Sequence, residues 1–303
     1  MGARVMVDVF SGRPNPVITL SDAATKKWLS ALKRPKGGAA REAELPLPDV
    51  PTLGYRGIVV VQQGRLQAGL PRSFRVAHGD VFAGDDAWRG TDEFEDVLMD
   101  ADGPLKRLKL GRKVHAHFKE AKGHFKETRR KWKAHEHIKH EHHHACDCGP
   151  MYEPAWWNDG TGDITIPCVQ YYNNCYNYAC NYRTDTYAQP GWPAGLDPVN
   201  QCADVTAAAV ADGLIDSPLA DNHCPPEGHL VALAICPTID FHWYRKDRTG
   251  MWSHKPGGSE ATDLDNVFQP ISDPRTCNRD LYIFLCTFMV VMHGHIKIDW
   301  AIP

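Results

Sequence analysis

The sequence predicts an α+β protein with a small N-terminal α/β module, a long basic histidine-rich helix and a C-terminal domain of helices and an antiparallel sheet. Three observations support this prediction. Short β-branched runs alternate with amphipathic helical segments in the first hundred residues. Residues 104–145 are strongly basic and poor in apolar side chains. All ten cysteines lie between residues 146 and 286. We therefore expect boundaries at 1–103, 104–150 and 151–303.

The overall composition is that of a soluble globular chain. Of the 303 residues, 43% are hydrophobic and 23% are charged. The formal net charge of −3 gives no global case for binding nucleic acid. No apolar run approaches the roughly 20 residues that span a bilayer. The first residues lack the apolar core of a signal peptide, so we expect a cytoplasmic protein or one exported by a non-classical route.

The N-terminal module contains alternating short elements. Its predicted strands and helices, in order, are strands at 5–10 and 17–20, a helix capped by Ser21, a buried strand at 57–61, a hairpin from 74–76 and 80–82, and an acidic helix at 92–98. Residues 11–16, SGRPNP, form a rigid turn between the first two strands. Nothing here indicates catalysis, and we expect the module to contact a protein partner.

The basic segment predicts one long helix. Residues 104–145 hold thirteen Lys and Arg against four Glu, a net charge of about +9, and nine of the sixteen histidines. Val114, Phe118, Phe125 and Trp132 fall on one narrow helical stripe. This pattern favours a mostly solvated helix with a thin docking seam. The functional alternative is an arm that binds anions or nucleic acid.

The end of the basic segment is a candidate metal site. His140 and His144 share a helix face, and Cys146 and Cys148 can add thiolates that suit zinc or copper. The spacing does not close a four-ligand set, and histidine-rich tracts also bind metals adventitiously. The ten cysteines are compatible either with reduced thiols and metal ligands or with a disulfide framework.

Cys175 opens a short helical run after two asparagines. Asn173 or Asn174 can cap that run, and the positive end of the helix dipole favours a thiolate at its first turn. These features are typical of a prepared nucleophile. The alternative is a buried or disulfide-bonded cysteine.

A base and its orienting group are predicted on a hairpin. The buried strand 229–236 is followed by residues 240–245 and 250–255, with Gly250 at the turn. If Lys246 pairs with Gly250, His242 lies opposite His254, with Cβ atoms about 4.5–5.5 Å apart. Such a pair can supply a base and fix its tautomer. A slip of one residue would break this pairing. The alternative is two structural histidines.

This order of features resembles the NlpC-type branch of the papain-like cysteine hydrolases. The resemblance is carried by Asn174-Cys175-Tyr176, residues 228–233, residues 242–245 and Ser253-His254, with Asn174 where that family has aspartate. It implies a papain-like C-terminal domain that hydrolyses or transfers a peptide or amide acyl group.

The resemblance also implies roles for individual residues. Cys175 would be the nucleophile, His242 the base, His254 the orienting residue and Gln170 an oxyanion-hole donor. No cofactor is required for that chemistry. Two other functions stay open: a non-enzymatic structural or interaction protein held together by disulfides, and a metal-binding protein that uses the His/Cys tract.

Overall fold

Two antiparallel sheets organise the part of the chain that the computed structural model describes, namely residues 2–33, 52–67, 69–84, 86–100, 102–132, 145–159, 168–218 and 220–299. Six α-helices accompany the sheets in these residues. The predicted mixture of α and β structure is therefore confirmed at the level of fold class. None of the described helices is both long enough and apolar enough to cross a membrane.

The first sheet has six strands and comes from the N-terminal residues. Its strands are β1 (Gly2–Asp8), β2 (Val17–Leu20), β3 (Gly57–Gln63), β4 (Ser73–Ala77), β5 (Asp80–Ala83) and β6 (Asp86–Arg89), in the spatial order β2-β1-β3-β4-β5-β6. Strand β3 is central, with β1 and β4 paired to its two edges, and its apolar run is buried throughout. The five predicted strands each overlap an observed one, the first ends two residues earlier than predicted, and β6 was not predicted.

Three helices pack beside the first sheet: α1 (Asp22–Leu29), α2 (Glu93–Met99) and α3 (Arg112–Trp132). Ser21 caps α1, as predicted, because its Oγ accepts a hydrogen bond from the backbone N of Ala24 at 3.4 Å. The predicted seam of α3 is confirmed at Phe118 and Phe125, which are buried in the first core.

The second sheet has five strands and forms the centre of the C-terminal half. The strands are β7 (Ile215–Asp216), β8 (His229–Cys236), β9 (Asp240–Lys246), β10 (Trp252–His254) and β11 (Phe284–Val291), in the order β10-β9-β8-β11-β7. The helices of this half are α4 (Val169–Tyr172), α5 (Cys175–Ala179) and α6 (Cys202–Ala211). Both faces of β8 are apolar, and each face packs into a separate buried cluster.

The hairpin of β9 and β10 has a different register from the one predicted. Lys246 pairs with Trp252, and His254 pairs with Tyr244, so the predicted opposition of His242 and His254 is wrong by two residues. The cause is a five-residue connection, in which the Asp247 backbone N donates to the Met251 carbonyl at 2.9 Å. A shift of two residues preserves the face of each side chain, so both imidazoles still lie on one side of the sheet.

Two disulfides cross the C-terminal half. Cys146 pairs with Cys224 and Cys202 pairs with Cys286, at sequence separations of 78 and 84. The second disulfide joins the start of α6 to β11, at the bulge between Leu285 and Thr287. The other six cysteines are free thiols. Of the alternatives that the cysteine content left open, disulfides account for four of the ten cysteines.

Candidate functional site

The N-terminal turn (residues 11–16) is held in shape by one asparagine. Asn15 Oδ1 accepts from the backbone N of Val9 at 3.0 Å and of Phe10 at 2.7 Å. Its Nδ2 donates to Asp8 Oδ1 at 3.0 Å. Burial opposes the ionised form of Asp8, but Arg56 and a second arginine lower the pKa of this carboxyl to about 2. The shape of the turn is therefore fixed by hydrogen bonds within the N-terminal half.

This turn inserts against the start of β9. The buried Asp240 carboxylate accepts the backbone N–H of Ser11 at 2.5 Å and of Arg13 at 2.9 Å, and the nearest contact from Gly12 N is 3.2 Å. A Cβ on Gly12 would press into the Phe241 ring and lie 2.6 Å from its carbonyl oxygen, so only glycine fits this approach. Burial raises the pKa of Asp240, and the three N–H donors oppose that rise.

The turn also contacts the start of α5. The Gly12 carbonyl accepts from Asn174 Nδ2 at 2.7 Å and from Gln189 Nε2 at 2.8 Å. Asn174 is the N-cap of α5, since its Oδ1 accepts from the backbone N of Tyr176 at 3.0 Å and of Asn177 at 3.1 Å. The predicted cap is confirmed at Asn174. The same residue joins the two halves of the molecule.

A one-directional hydrogen-bond chain runs from the turn through both histidines. His254 Nε2 donates to the Leu264 carbonyl at 2.9 Å, so His254 Nδ1 is the acceptor atom. It accepts from His242 Nε2 at 2.8 Å, which leaves His242 Nδ1 to accept from Ser11 Oγ at 2.5 Å. This direction holds when both rings are neutral, and each neutral ring then has one tautomer.

Burial keeps these histidines neutral. It lowers the pKa of His242 well below the ordinary value, with His254 and Arg56 adding to the shift. It lowers the pKa of His254 to about 4. Neither imidazole carries charge at neutral pH, and the basic nitrogen of His242 already receives the Ser11 hydroxyl.

Cys175 is fully buried, and the nearby Ser11 side chain contributes to the pKa of its thiol. Burial raises the pKa of its thiol, and the Asp240 carboxylate raises it further. Burial therefore opposes the helix-activated thiolate that the sequence suggests. The first-turn N–H groups of α5 are already satisfied by Asn174, and in a dry site the cost of removing a thiolate from water exceeds the helix contribution.

Ser11 already pairs with the nitrogen of His242 that a base would use. Among the described residues, no hydrogen bond joins Cys175 to His242, whose Nδ1 is paired with Ser11 Oγ instead. Sequence reasoning missed Ser11 because it lies 231 residues from His242. The only local signal was the unusual rigidity of the turn.

Gln170 and a buried lysine fix the loop before α5. The Gln170 backbone N donates to Asp159 Oδ1 at 3.0 Å, and its carbonyl accepts from Lys255 Nζ at 2.5 Å. Lys255 Nζ also donates to the carbonyls of Asn173 at 2.6 Å and Gly257 at 2.8 Å. Burial lowers the pKa of Lys255 to about 7. The oxyanion-hole role implied for Gln170 has no separate test in these contacts.

The candidate metal tract is described only in part. His140 and His144 lie outside the described residues, while Cys148 is a free, exposed thiol. Cys146 is bonded to Cys224, so its sulfur cannot be a thiolate ligand in this state. In the described ranges, no group of three or more His, Cys, Asp and Glu side chains is arranged to hold a metal ion. Zinc or copper binding by the remaining residues stays a prediction.

Comparison with known proteins identifies a different kind of relative from the one that the resemblance implied. No family model and no solved structure matches this chain. Insoluble matrix shell protein 1 of Ruditapes philippinarum is 41% identical over 138 residues, which cover 45% of this chain and 85% of the relative. This chain belongs to the family of that shell matrix protein.

Family membership corrects the sequence-based interpretation. The resemblance to papain-like cysteine hydrolases, and the peptide hydrolase or acyltransferase activity that it implied, are wrong, because the relative is a shell matrix protein. The site is compatible with this correction, since Cys175 is buried and burial raises the pKa of its thiol. A helix-opening cysteine, a buried strand and a histidine hairpin also arise as ordinary packing in an α+β fold.

Proposed function

We propose that this chain is a non-enzymatic structural protein of an insoluble shell matrix. The identity of 41% over 85% of insoluble matrix shell protein 1 carries this proposal. The relative's name places it in an insoluble matrix, and a shared sequence of this extent supports a shared structural role.

The disulfides support a role outside the reducing interior of a cell. Cys202–Cys286 ties α6 to β11, and Cys146–Cys224 ties the segment before α4 to the loop before β8. Disulfides of this kind persist in oxidising surroundings such as an extracellular matrix. They also limit unfolding, which suits a protein that must stay assembled for a long time.

The buried polar network supports a mechanical role for the candidate site. Ser11, His242 and His254 are all buried, and their hydrogen bonds form one continuous chain from the N-terminal turn to the Leu264 carbonyl. Buried polar groups that are mutually satisfied define a single arrangement of the parts they join. The network therefore acts as a lock between the first and second sheets.

Fractionation of mineralised tissue from the source organism tests the proposed function. The tissue is dissolved in a calcium chelator, and the soluble and insoluble fractions are digested and analysed by mass spectrometry. We expect peptides of this chain in the insoluble fraction, and an abundant cytosolic protein serves as the control for carry-over. Recovery of the chain only with the cytosolic marker would contradict the proposal.

A further inference from the structure

Three cysteines form a cluster at the surface, apart from the buried site. We define the three-cysteine cluster as Cys146, Cys148 and Cys224. Cys146 and Cys224 are joined as a disulfide, and Cys148 is a free thiol. The Cys148 thiol contacts the Pro226 carbonyl at 3.5 Å, two residues beyond Cys224. The free thiol and the disulfide therefore lie on the same patch of surface.

The two cysteines of the disulfide differ in exposure. Cys146 is only 4% exposed, whereas Cys224 lies in an exposed loop. Two hydrogen bonds hold the backbone of Cys146 in place. Its N–H donates to the Arg248 carbonyl at 2.8 Å, and its carbonyl accepts from the backbone N of Gly149 at 2.8 Å. A nucleophile approaches a disulfide along the S–S axis, opposite the leaving sulfur. Solvent access therefore favours attack on Cys224, with Cys146 as the anchored leaving group.

We propose that copies of this chain link covalently by thiol–disulfide exchange at the three-cysteine cluster. The Cys148 thiolate of one copy attacks Cys224 Sγ of a second copy, and a Cys148–Cys224 bond forms between them. The Cys146–Cys224 bond of the second copy breaks, and its electron pair goes to Cys146 Sγ. That sulfur takes the proton that Cys148 released. One disulfide replaces another, so the step needs no oxidant.

The arrangement allows the reaction to propagate. Each copy carries one attacking thiol, Cys148, and one electrophilic sulfur, Cys224, and using one does not consume the other. Contacts of this head-to-tail kind produce open chains when the rotation between copies does not close a ring. The exchange itself can be measured in purified protein, but its biological meaning rests on the proposed matrix role.

The other free cysteines are less suited to the reaction. Cys175 and Cys180 are buried, and Cys168, Cys236 and Cys277 are partly covered. Cys148 differs from all five because its side chain is exposed. Since exchange requires access to the attacking sulfur, Cys277→Ser provides a matched control that removes a free thiol without touching the cluster.

The test uses the purified full chain with both disulfides intact. The protein is incubated at neutral pH without oxygen and with a metal chelator, quenched with iodoacetamide and run on non-reducing gels. We expect a ladder of linked copies that reductant abolishes. Cys148→Ser should reduce the linked fraction at least about tenfold, whereas Cys277→Ser should leave it unchanged.

Isotope mixing establishes that the link joins two copies. Equal amounts of nitrogen-15-labelled and unlabelled protein are incubated together, and disulfide-linked peptides are identified by mass. We expect Cys148–Cys224 peptides with one labelled and one unlabelled half. The proposal is overturned if no ladder forms, if Cys148→Ser leaves the ladder unchanged, or if Cys148–Cys224 forms only within single copies. None of these outcomes affects the tissue fractionation that tests the matrix role.

Discussion

Replacing Cys202 and Cys286 together by alanine removes the disulfide between α6 and β11 without leaving a free thiol. The sequence separation is 84. For a loop of that size, the chain-entropy relation gives a loss of about 4.5 kcal/mol in the free energy of unfolding. That loss is a large part of the roughly 5–15 kcal/mol that stabilises an ordinary domain. The variant should therefore stay folded in water but unfold at much lower denaturant concentrations.

Urea titration followed by circular dichroism measures this loss. The free energy of unfolding is obtained for the wild type and for the double variant, with Cys277→Ala as a control that removes a free, partly buried thiol. We expect a difference of about 3–5 kcal/mol for the double variant and a much smaller one for the control. A difference below about 1 kcal/mol for the double variant would refute the argument that this disulfide holds the C-terminal half together.

Three further predictions concern the lock between the sheets. Ser11→Ala removes the donor to His242 Nδ1 and should lower the free energy of unfolding, measured by chemical denaturation, by about 1–3 kcal/mol. Ser30→Ala, at an exposed hydroxyl, is the control and should change it by less than about 0.5 kcal/mol. Equal effects of the two substitutions would contradict this prediction. Gly12→Ala should lower the free energy of unfolding by about 1–3 kcal/mol or more, because the added Cβ meets Phe241. Gly111→Ala is the control, since its added Cβ meets nothing within 4 Å. A Gly12→Ala protein with unchanged melting temperature would show that the turn is not tightly packed against β9. Burial lowers the pKa of His254 to about 4, so the stability that neutral His254 contributes is complete above the unfolded value of about 6.5 and is lost as pH falls towards 4. The free energy of unfolding of wild type relative to His254→Gln should therefore fall by about 3 kcal/mol across that window. A difference independent of pH would contradict a neutral buried histidine.

Local patterns predicted most of the regular elements. The continuous apolar run of β8 and the Ser21 cap of α1 depend on neighbouring residues only, so the sequence indicated both correctly. The same holds for the Asn174 cap of α5. The register of the β9–β10 hairpin depends on the length and hydrogen bonding of its loop, which the position of Gly250 alone did not determine.

The candidate site depended on contacts that no local pattern encodes. Ser11 reaches His242 across 231 residues of sequence, and it turns an apparent base into an acceptor that is already occupied. The pairing of four among ten cysteines likewise could not be deduced from spacing. The helix position of Cys175 was correctly anticipated, but its burial decides its chemistry, and burial depends on the N-terminal turn docking above it.

Competitive alkylation of the folded protein at neutral pH tests the central claim most directly. The wild type is exposed to limiting iodoacetamide, and the modification of Cys148 and Cys175 is followed by mass spectrometry. A structural protein with a closed, neutral site should label Cys148 rapidly and Cys175 only through unfolding, about a thousandfold or more slowly. Selective labelling of Cys175 ahead of the exposed Cys148 would contradict the account.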